Sequence, residues 1–222
     1  SNQSNWYDWG CAHCSEGNYA IIMNGPRGWS GPEYAQGWSF NVPTEEFYNS
    51  FEEGDSRRDA TVLDIEAFAT ANNATYTEGY EHTGYFNNKY IPRAGESGGQ
   101  TELNYLSNFR IIRYSDVLLM AAEAYNRGGI DDGLAQEFLN QVRRRAFGDD
   151  DHDISASGTA LTDAIWEERK FELSLEGHRF FDLVRTGRAS SLIAGFVEGK
   201  HEVFPIPQQE VDISGLTQNA GY

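Results

Sequence analysis

Residues 161–187 carry a ladder of opposite charges whose residue types could perform acid–base chemistry. The ladder consists of acids and arginines three or four residues apart: Glu168, Arg169, Glu172, Glu176, Arg179, Asp182 and Arg185. Side chains at this spacing meet on neighbouring turns of a helix. Acid–base catalysis needs carboxyl groups whose pKa values are pushed apart, whereas interleaved arginines hold every carboxylate ionised. The pattern therefore favours a structural ion-pair network over an active site.

The same stretch predicts a helix, a glycine hinge and a second helix. Arginines that fork onto carboxylates, within the hairpin and on neighbouring helices, would fix how those helices cross. We expect Glu172 and Arg179 to be substantially buried and ion-paired, far from any ligand.

Aromatic side chains in the first 40 residues have the chemistry to bind sugars. Flat rings stack on the apolar faces of sugar rings, while polar side chains at the rim form hydrogen bonds with the hydroxyl groups. The candidate binding residues are Trp6, Trp9, Trp29, Tyr34 and Trp38, with Asn24, Arg27 and Glu33 as polar partners. Large aromatic residues in loops also fill cores. The sequence favours neither reading for the group.

Two short clusters could bind a metal ion. Cys11 and Cys14 form one CxxC motif, which fits a redox pair, half of a zinc site or a small disulfide, and the scattered histidines offer no further zinc spacing. Asp149, Asp151 and Asp153 alternate, so calcium is conceivable, but the loop lacks the glycine and glutamate of an EF-hand. A solvated acidic loop is favoured, and we expect no cofactor.

The composition excludes several classes of partner. The 222 residues include 17 Lys+Arg and 34 Asp+Glu, and the resulting formal charge of -17 repels nucleic acid and anionic membrane surfaces. A neutral partner or ligand is favoured. No apolar run approaches the ~20 residues of a membrane span. Because the chain starts at Ser1 without an apolar signal, we expect a processed or truncated product.

The two halves of the sequence predict different structures. Residues 1–108 are rich in aromatics and predict mostly loops, with a short helix opened by Thr44 and a strand over residues 61–68. Residues 113–147 predict two helices joined by a glycine turn, which make an antiparallel pair and partly match one tetratricopeptide repeat.

Several segments that follow one another along the chain resemble one family. They are GWSFNVPTEEFYNSFEEGDSRRD, RYSDVLLMAAEAY, LNQVRRRA, EERKFELSLEGHRFFDLVRTG, VFPIPQQE and the terminal QNAGY. Together they closely resemble the C-terminal part of the SusD/RagB family, which comprises glycan-capture lipoproteins of the Bacteroidetes outer membrane. The resemblance covers at least residues 37–222.

This resemblance implies a mainly α fold with long loops and a few short strands, built from tetratricopeptide-type helix pairs. Residues 1–222 would be the C-terminal portion of a SusD-like domain whose N-terminal part is missing, with an aromatic, loop-rich ligand region at 1–108 and a helical region at 109–222. The implied function is non-catalytic binding of an oligosaccharide or polysaccharide at the cell surface. The implied partners are that glycan, a SusC-type TonB-dependent transporter and the missing N-terminal segment, with the outer-membrane lipid anchor outside this chain.

Two alternatives stay open. The helices could form an interaction module for the transporter without a sugar site of its own. A glycoside hydrolase is less favoured, because it needs two carboxyl groups about 5 to 9.5 Å apart across the sugar, and the spacing of Asp8, Glu16 and Glu33 does not pair them.

A single helix pair also cannot bury both of its apolar faces. We therefore expect the apolar side chains of Val117, Leu118, Phe138 and Val142 to leave surface uncovered unless another segment or chain packs there.

Overall fold

The computed structural model describes residues 4–5, 15–16, 19–96 and 105–222. The chain divides into two compact units, Ser1–Glu176 and Gly177–Tyr222. The first unit contains, in chain order, β1 (Ser4–Asn5), β2 (Ser15–Glu16), α1 (Tyr19–Ile22), β3 (Arg27–Ser30), α2 (Glu45–Asn49), α3 (Arg57–Thr61), β4 (Val62–Asp64), α4 (Ile65–Asn72), β5 (Thr75–Thr77), β6 (Tyr85–Asn87), α5 (Tyr114–Arg127), α6 (Asp132–Phe147) and α7 (Gly158–Glu172). The second contains α8 (Arg179–Arg185), α9 (Ala189–Leu192) and α10 (Gln208–Ser214).

The short strands pair in antiparallel ribbons that hold the loop-rich part together. In one ribbon, β3 pairs with β5, so that Arg27 lies opposite Thr77. In another, β4 pairs with β6. Between and beside these ribbons lies a small core of Tyr34, Leu63, Ile65, Phe86 and Ile91. The ribbons therefore hold the loops that carry Tyr34, Trp38 and Phe40.

Local capping decides where the elements in this region begin. The predicted helix after Thr44 is present as α2, and the Thr44 hydroxyl accepts a hydrogen bond from the Phe47 amide at 3.1 Å. The predicted strand over residues 61–68 is wrong beyond Asp64, because the Asp64 carboxylate accepts a hydrogen bond from the Ala67 amide at 2.9 Å and starts α4. An aspartate that caps a helix in this way outweighs a short alternating pattern.

Three helices, α5, α6 and α7, pack around one apolar core. That core contains Leu118, Leu119, Ala122, Ala135, Leu139, Val142, Leu161 and Ile165. For Leu118 and Val142 the further segment that the pair needs is α7, which packs on the pair as a third helix and buries both side chains. Phe138 is half-buried and packs against Tyr125, with ring centroids 5.6 Å apart. Val117 does remain exposed.

The second unit is a short helical tail. Gly177 has a φ of 86°, a left-handed conformation that glycine adopts without strain, and α8 starts two residues later. At the end of the chain, the Tyr222 hydroxyl donates a hydrogen bond to the Val203 carbonyl at 3.0 Å, which ties the terminus to the unit. Across the part of the chain that the structure describes, no helix is long and apolar enough to cross a membrane.

Candidate functional site

The charged ladder forms the centre of a buried ion-pair cluster. Glu168 and Glu172 lie one turn apart on α7, Glu176 follows after the helix ends, and all three are buried. Glu168 pairs with Arg143 of α6 at 2.9 Å and with Arg57 of α3 at 2.5 Å. We call the three glutamates and the cations that contact them the ion-pair cluster.

Glu172 has the densest set of charged contacts in the cluster. It is 2% exposed, and it contacts Arg113 as well as Arg145 at 2.6 Å and Arg57 at 3.2 Å. Burial alone would raise the pKa of Glu172, but the charge of Arg113 and then that of Arg145 lower this pKa to about 2. Glu172 is therefore an ionised structural anion and has no proton to donate near neutral pH.

Glu176 completes the cluster with two cations from other parts of the chain. It pairs with Lys89 at 2.6 Å and with Arg113 at 2.8 Å. Burial opposes the charged form of Glu176, yet the hydrogen bond from Arg113 and the charge of Lys89 lower its pKa below the usual range. Its carboxylate is also ionised.

The remaining members of the ladder make other contacts. Arg169 contacts Asp116 of α5 at 2.7 Å, which links α7 to α5. Asp182 and Arg185 pair within α8 at 2.7 Å. Arg179, which we expected to be substantially buried, is half-buried. The strongest contacts of the ladder therefore run between elements that are far apart in the sequence.

A cavity of about 440 Å³ opens beside the ion-pair cluster. Its lining consists of Ser56, Arg57, Ala60, Thr61, Lys89, Arg110, Arg113, Arg145, Ala146, Glu172 and Glu176. Five of these side chains are cationic and two are anionic, so the wall of the cavity is positive in a protein of formal charge -17.

Two of the candidate sugar-binding residues lie in the interior. Tyr34 is buried, and its ring packs edge-on against Phe68 with centroids 4.9 Å apart. Asn24 is also buried, and its side-chain oxygen accepts hydrogen bonds from Asn87 at 3.2 Å and from Asn41 at 3.3 Å. Neither side chain offers a free face to a ligand, because the fold uses both to hold loops together.

The other described candidates lie at or near the surface. Trp29 and Trp38 are half-buried, and Trp29 packs on Phe68 with centroids 5.9 Å apart. Glu33 is exposed and pairs with Arg93 at 2.6 Å. Trp6 and Trp9 lie outside the described residues.

Several side chains form an exposed aromatic surface. Only some of its residues were identified from the sequence. Arg27 donates a hydrogen bond to the Trp38 carbonyl at 2.7 Å, and its guanidinium lies 5.6 Å from the centroid of the Phe40 ring. Phe40 is 49% exposed. We call Arg27, Trp38, Phe40, Thr77 and Tyr80 the aromatic surface. Thr77 lies opposite Arg27 in the ribbon of β3 and β5.

Tyr80 joins this surface through its neighbour in the chain. A Cβ atom on Gly79 would lie 2.8 Å from the Cβ of Ser39, so the loop after β5 passes directly against the residue that precedes Phe40. Tyr80 itself is 90% exposed. The sequence signal for Tyr80 was the polar loop TEGYEHT, which cannot bury a tyrosine by itself.

A polar groove lies at β5. It has a volume of about 610 Å³ and is lined by Glu66, Ala69, Thr70, Asn73, Ala74, Thr75, Tyr76 and Glu78. Hydroxyl, amide and carboxylate groups with one aromatic ring are the side chains that bind sugar hydroxyls and sugar faces. The groove and the aromatic surface meet at β5.

The candidate metal clusters do not converge on a site in the described residues. Asp153 contacts Arg144 at 3.0 Å, and Asp149 accepts a hydrogen bond from the Asp151 amide at 3.1 Å. Within the described ranges, no group of three or more His, Cys, Asp or Glu side chains could hold a metal ion. Cys11 and Cys14 lie outside those ranges.

Comparisons with known proteins agree with one another. A family model described as the SusD family matches residues 2–199. SusD-like protein P2 of Formosa agariphila is 29% identical over 230 residues, which cover 92% of this chain and 45% of that protein. This match extends the resemblance inferred from sequence motifs to nearly the whole chain.

Solved structures give the same result for the fold. A laminarin-binding SusD-like protein is 40% identical, with a TM-score of 0.84 over 100% of this chain and 48% of that one. Surface glycan-binding protein A from Bacteroides thetaiotaomicron, solved in complex with laminarihexaose, is 32% identical, with a TM-score of 0.86 over 99% of this chain and 50% of that one. The predicted mainly helical fold class is confirmed, and the chain spans about half the length of these relatives.

Proposed function

This chain belongs to the SusD family, and we propose that it binds an oligosaccharide or polysaccharide at the cell surface without cleaving it. The observation that carries the proposal is the match over the full chain to a laminarin-binding structure, together with the laminarihexaose complex of a second relative. A glucan of the laminarin type is therefore the first ligand to test. The negative charge of the chain also favours a neutral ligand over an acidic one.

The aromatic surface supplies the contacts that such a ligand needs. Phe40 and Tyr80 offer exposed rings for stacking, and Arg27 and Thr77 offer hydrogen-bond donors beside them. Because Arg27 is fixed by the Trp38 carbonyl, its position is set before the ligand arrives, which lowers the entropy cost of binding. The polar groove at β5 offers further hydroxyl, amide and carboxylate groups for sugar hydroxyls.

The remaining parts of the proposal concern location and delivery. We propose that the protein is held at the outer membrane by a lipid anchor and hands the glycan to a SusC-type TonB-dependent transporter. Support comes from the family and from relatives that are described as surface glycan-binding proteins. Trp6, Trp9, Trp29 and Trp38 stay candidates for further contacts with the glycan.

The test is affinity electrophoresis and calorimetry with laminarin and laminarihexaose. We expect Tyr80→Ala and Phe40→Ala each to weaken binding about tenfold, a loss of ~1.4 kcal/mol per ring. Phe204→Ala is the matched control, because Phe204 is as exposed as Tyr80 but lies in the second unit. Its affinity should equal that of the unchanged protein.

Three outcomes would contradict the proposal. Folded protein that is retarded neither by laminarin nor by a panel of plant and host polysaccharides would favour an interaction module. Release of reducing sugar would indicate a hydrolase. Equal losses in the Phe204→Ala and Tyr80→Ala variants would place the glycan away from the aromatic surface.

A further inference from the structure

Two of the five cations that line the cavity beside the ion-pair cluster keep hydrogen-bond donors for a ligand, and the other three are fully engaged. Lys89 donates to two backbone carbonyls at 2.8 and 3.1 Å and to Glu176 at 2.6 Å, which uses all three of its N–H groups. Arg57 and Arg113 are each held by two glutamates of the cluster. The cations that stay available are Arg110 and Arg145.

Arg110 forms no salt bridge to any carboxylate in the described part of the chain. Its backbone amide donates a hydrogen bond to the Tyr90 hydroxyl at 3.2 Å, and its guanidinium lies 6.0 Å from the centroid of the Tyr90 ring. Tyr90 is buried, so it holds this arginine beside the cavity. The guanidinium of Arg110 therefore carries a full positive charge that no described carboxylate balances.

Arg145 is only partly engaged. Its Nη2 donates to both carboxylate oxygens of Glu172, at 2.7 and 2.6 Å, and Glu172 is shared with Arg57 and Arg113. The Nε and Nη1 atoms of Arg145 have no hydrogen-bond partner among the described residues, and 58% of its side chain is exposed. One carboxylate thus serves three arginines, and Arg145 has donors left for a ligand.

The cavity has space for a ligand larger than a bare ion. Its volume of about 440 Å³ lies in the range of small-molecule sites. Ser56, Ala60 and Ala146 contribute small side chains to its wall. The Ser56 hydroxyl donates to the Ala146 carbonyl at 2.6 Å, so its oxygen can still accept a hydrogen bond from an alcohol. The cavity therefore combines donors for an oxyanion with an acceptor for a hydroxyl group.

We propose that this cavity binds a phosphate dianion, either free or as the monoester of a small polyol, with Arg110 and Arg145 as its ligands. Guanidinium groups recognise phosphate through paired N–H donors in one plane. A phosphate monoester carries about -1.5 to -2 charges near neutral pH, which suits two arginines that the cluster does not fully neutralise. The aromatic surface uses none of these residues, so the cavity is a second and separate site.

The local charge of the cavity outweighs the formal charge of -17. Exposed charges more than about 8 Å apart are largely screened at physiological ionic strength, whereas the arginines of the wall contact the ligand directly. Glu172 and Glu176 each lie between cations, so the wall offers the ligand little repulsion. A monoanion such as acetate would gain from fewer charges and should bind more weakly.

The test is isothermal titration calorimetry of the full chain at constant ionic strength, with inorganic phosphate, glycerol 3-phosphate, glycerol and acetate. We expect binding of both phosphates, weaker binding of acetate and none of glycerol. Tighter binding of glycerol 3-phosphate would assign the site to monoesters, and equal affinities would assign it to free phosphate.

Substitution of the two arginines locates the site. Arg110→Gln and Arg145→Gln should each weaken binding of phosphate at least about tenfold, equivalent to ~1.4 kcal/mol, because each removes a charge-assisted contact. Arg110→Lys should retain more affinity than Arg110→Gln, since it keeps the charge. Arg58→Gln is the matched control, at an exposed arginine of α3 outside the cavity lining, and it should leave the affinity unchanged.

The urea midpoint without ligand checks that the variants fold, and Arg110→Gln should leave it unchanged because Arg110 has no described ion pair to lose. Absence of binding by either phosphate would overturn the proposal. So would an unchanged affinity in Arg110→Gln and Arg145→Gln, or an equal loss in Arg58→Gln, which would indicate a response to net charge alone. Affinity for laminarihexaose is a separate readout, so these outcomes do not depend on the proposed function.

Discussion

The ion-pair cluster and the aromatic surface both lie in the first unit, and the fold treats their side chains in opposite ways. In the cluster, Glu172 is 2% exposed and is held by arginines from three other elements. In the aromatic surface, Tyr80 is 90% exposed and its ring is free to meet a ligand. The chemically richest motif of the sequence thus builds the scaffold, while the proposed binding surface lies on loops that the scaffold positions.

The largest effect should follow from removal of one cluster carboxylate. Glu172→Ala removes a shared buried carboxylate from Arg57 and Arg113, so we expect a loss of about 3–5 kcal/mol in the free energy of unfolding. Arg145, whose side chain is more than half exposed, contributes less to this loss. Urea denaturation followed by circular dichroism measures it. The protein that remains folded should bind glycan with unchanged affinity.

Glu167→Ala is the control on the same helix. Glu167 is about half exposed and pairs with Lys170 at 2.6 Å, and removal of such a surface pair should change stability by less than about 1 kcal/mol. If Glu167→Ala and Glu172→Ala lowered the free energy of unfolding equally, burial would not explain how the cluster stabilises the fold.

Acid should weaken the ion-pair cluster, because the cluster depends on ionised carboxylates and the aromatic surface does not. The pKa of Glu172 is about 2 in the folded protein and 4.5 as the ordinary value, so its stabilisation is complete above pH 4.5 and is lost as the pH falls towards 2. The full loss from this residue is about 3 kcal/mol. Urea midpoints at pH 6, 4.5 and 3 measure the decline.

Glu172→Gln provides the contrast, because it removes the titrating group. The variant should be less stable than the unchanged protein at pH 6 and should show a shallower decline below pH 4.5. A decline as steep as that of the unchanged protein would mean that other carboxyl groups control the acid response.

A smaller and more local effect is expected beneath the aromatic surface. A Cβ atom on Gly37 would lie 1.8 Å from the Asn24 carbonyl oxygen, so Gly37→Ala must shift the loop that carries Trp38 and Phe40. We expect a loss of about 1–3 kcal/mol in stability and a weaker affinity for glycan. Calorimetry with laminarihexaose and thermal unfolding measure the two effects.

Gly133→Ala is the matched glycine control. Gly133 lies in α6, where the nearest contact of a new Cβ atom is the Asp131 carboxylate at 3.2 Å. Alanine also favours helix over glycine, so stability should be unchanged or should rise by up to about 1 kcal/mol. Unchanged glycan affinity in Gly37→Ala would separate the loop from the binding site.

Local patterns in the sequence predicted the helices well. The hydroxyl of Thr44 and the carboxylate of Asp131 cap their helices, and the predicted pair α5 and α6 is present. Such signals act within a few residues, so they can be recognised without knowledge of the fold. The family resemblance was likewise carried by contiguous segments.

Long-range partners could not be predicted in the same way. Glu172 contacts Arg113, 59 residues away, and Arg57, 115 residues away, although the ladder offered arginines within one turn. Residue type also failed to separate core from surface among the aromatics, since Tyr34 is buried and Tyr80 is exposed. Exposure of a ring depends on what packs above it, which only the fold decides.

The long sequence separations in the ion-pair cluster have a consequence for how the chain folds. Arg57 and Arg113 are synthesised well before the glutamates of the cluster. Glu168 lies 111 residues after its partner Arg57, and Glu176 lies 63 residues after its partner Arg113. Until the ribosome has released the end of α7, Arg57 has only its local partner Asp55, and Arg113 lacks both Glu172 and Glu176. Contacts between residues so far apart in the sequence close slowly. The ion-pair cluster can therefore be completed only after residue 176 has emerged, so we expect its assembly to be a late step during synthesis.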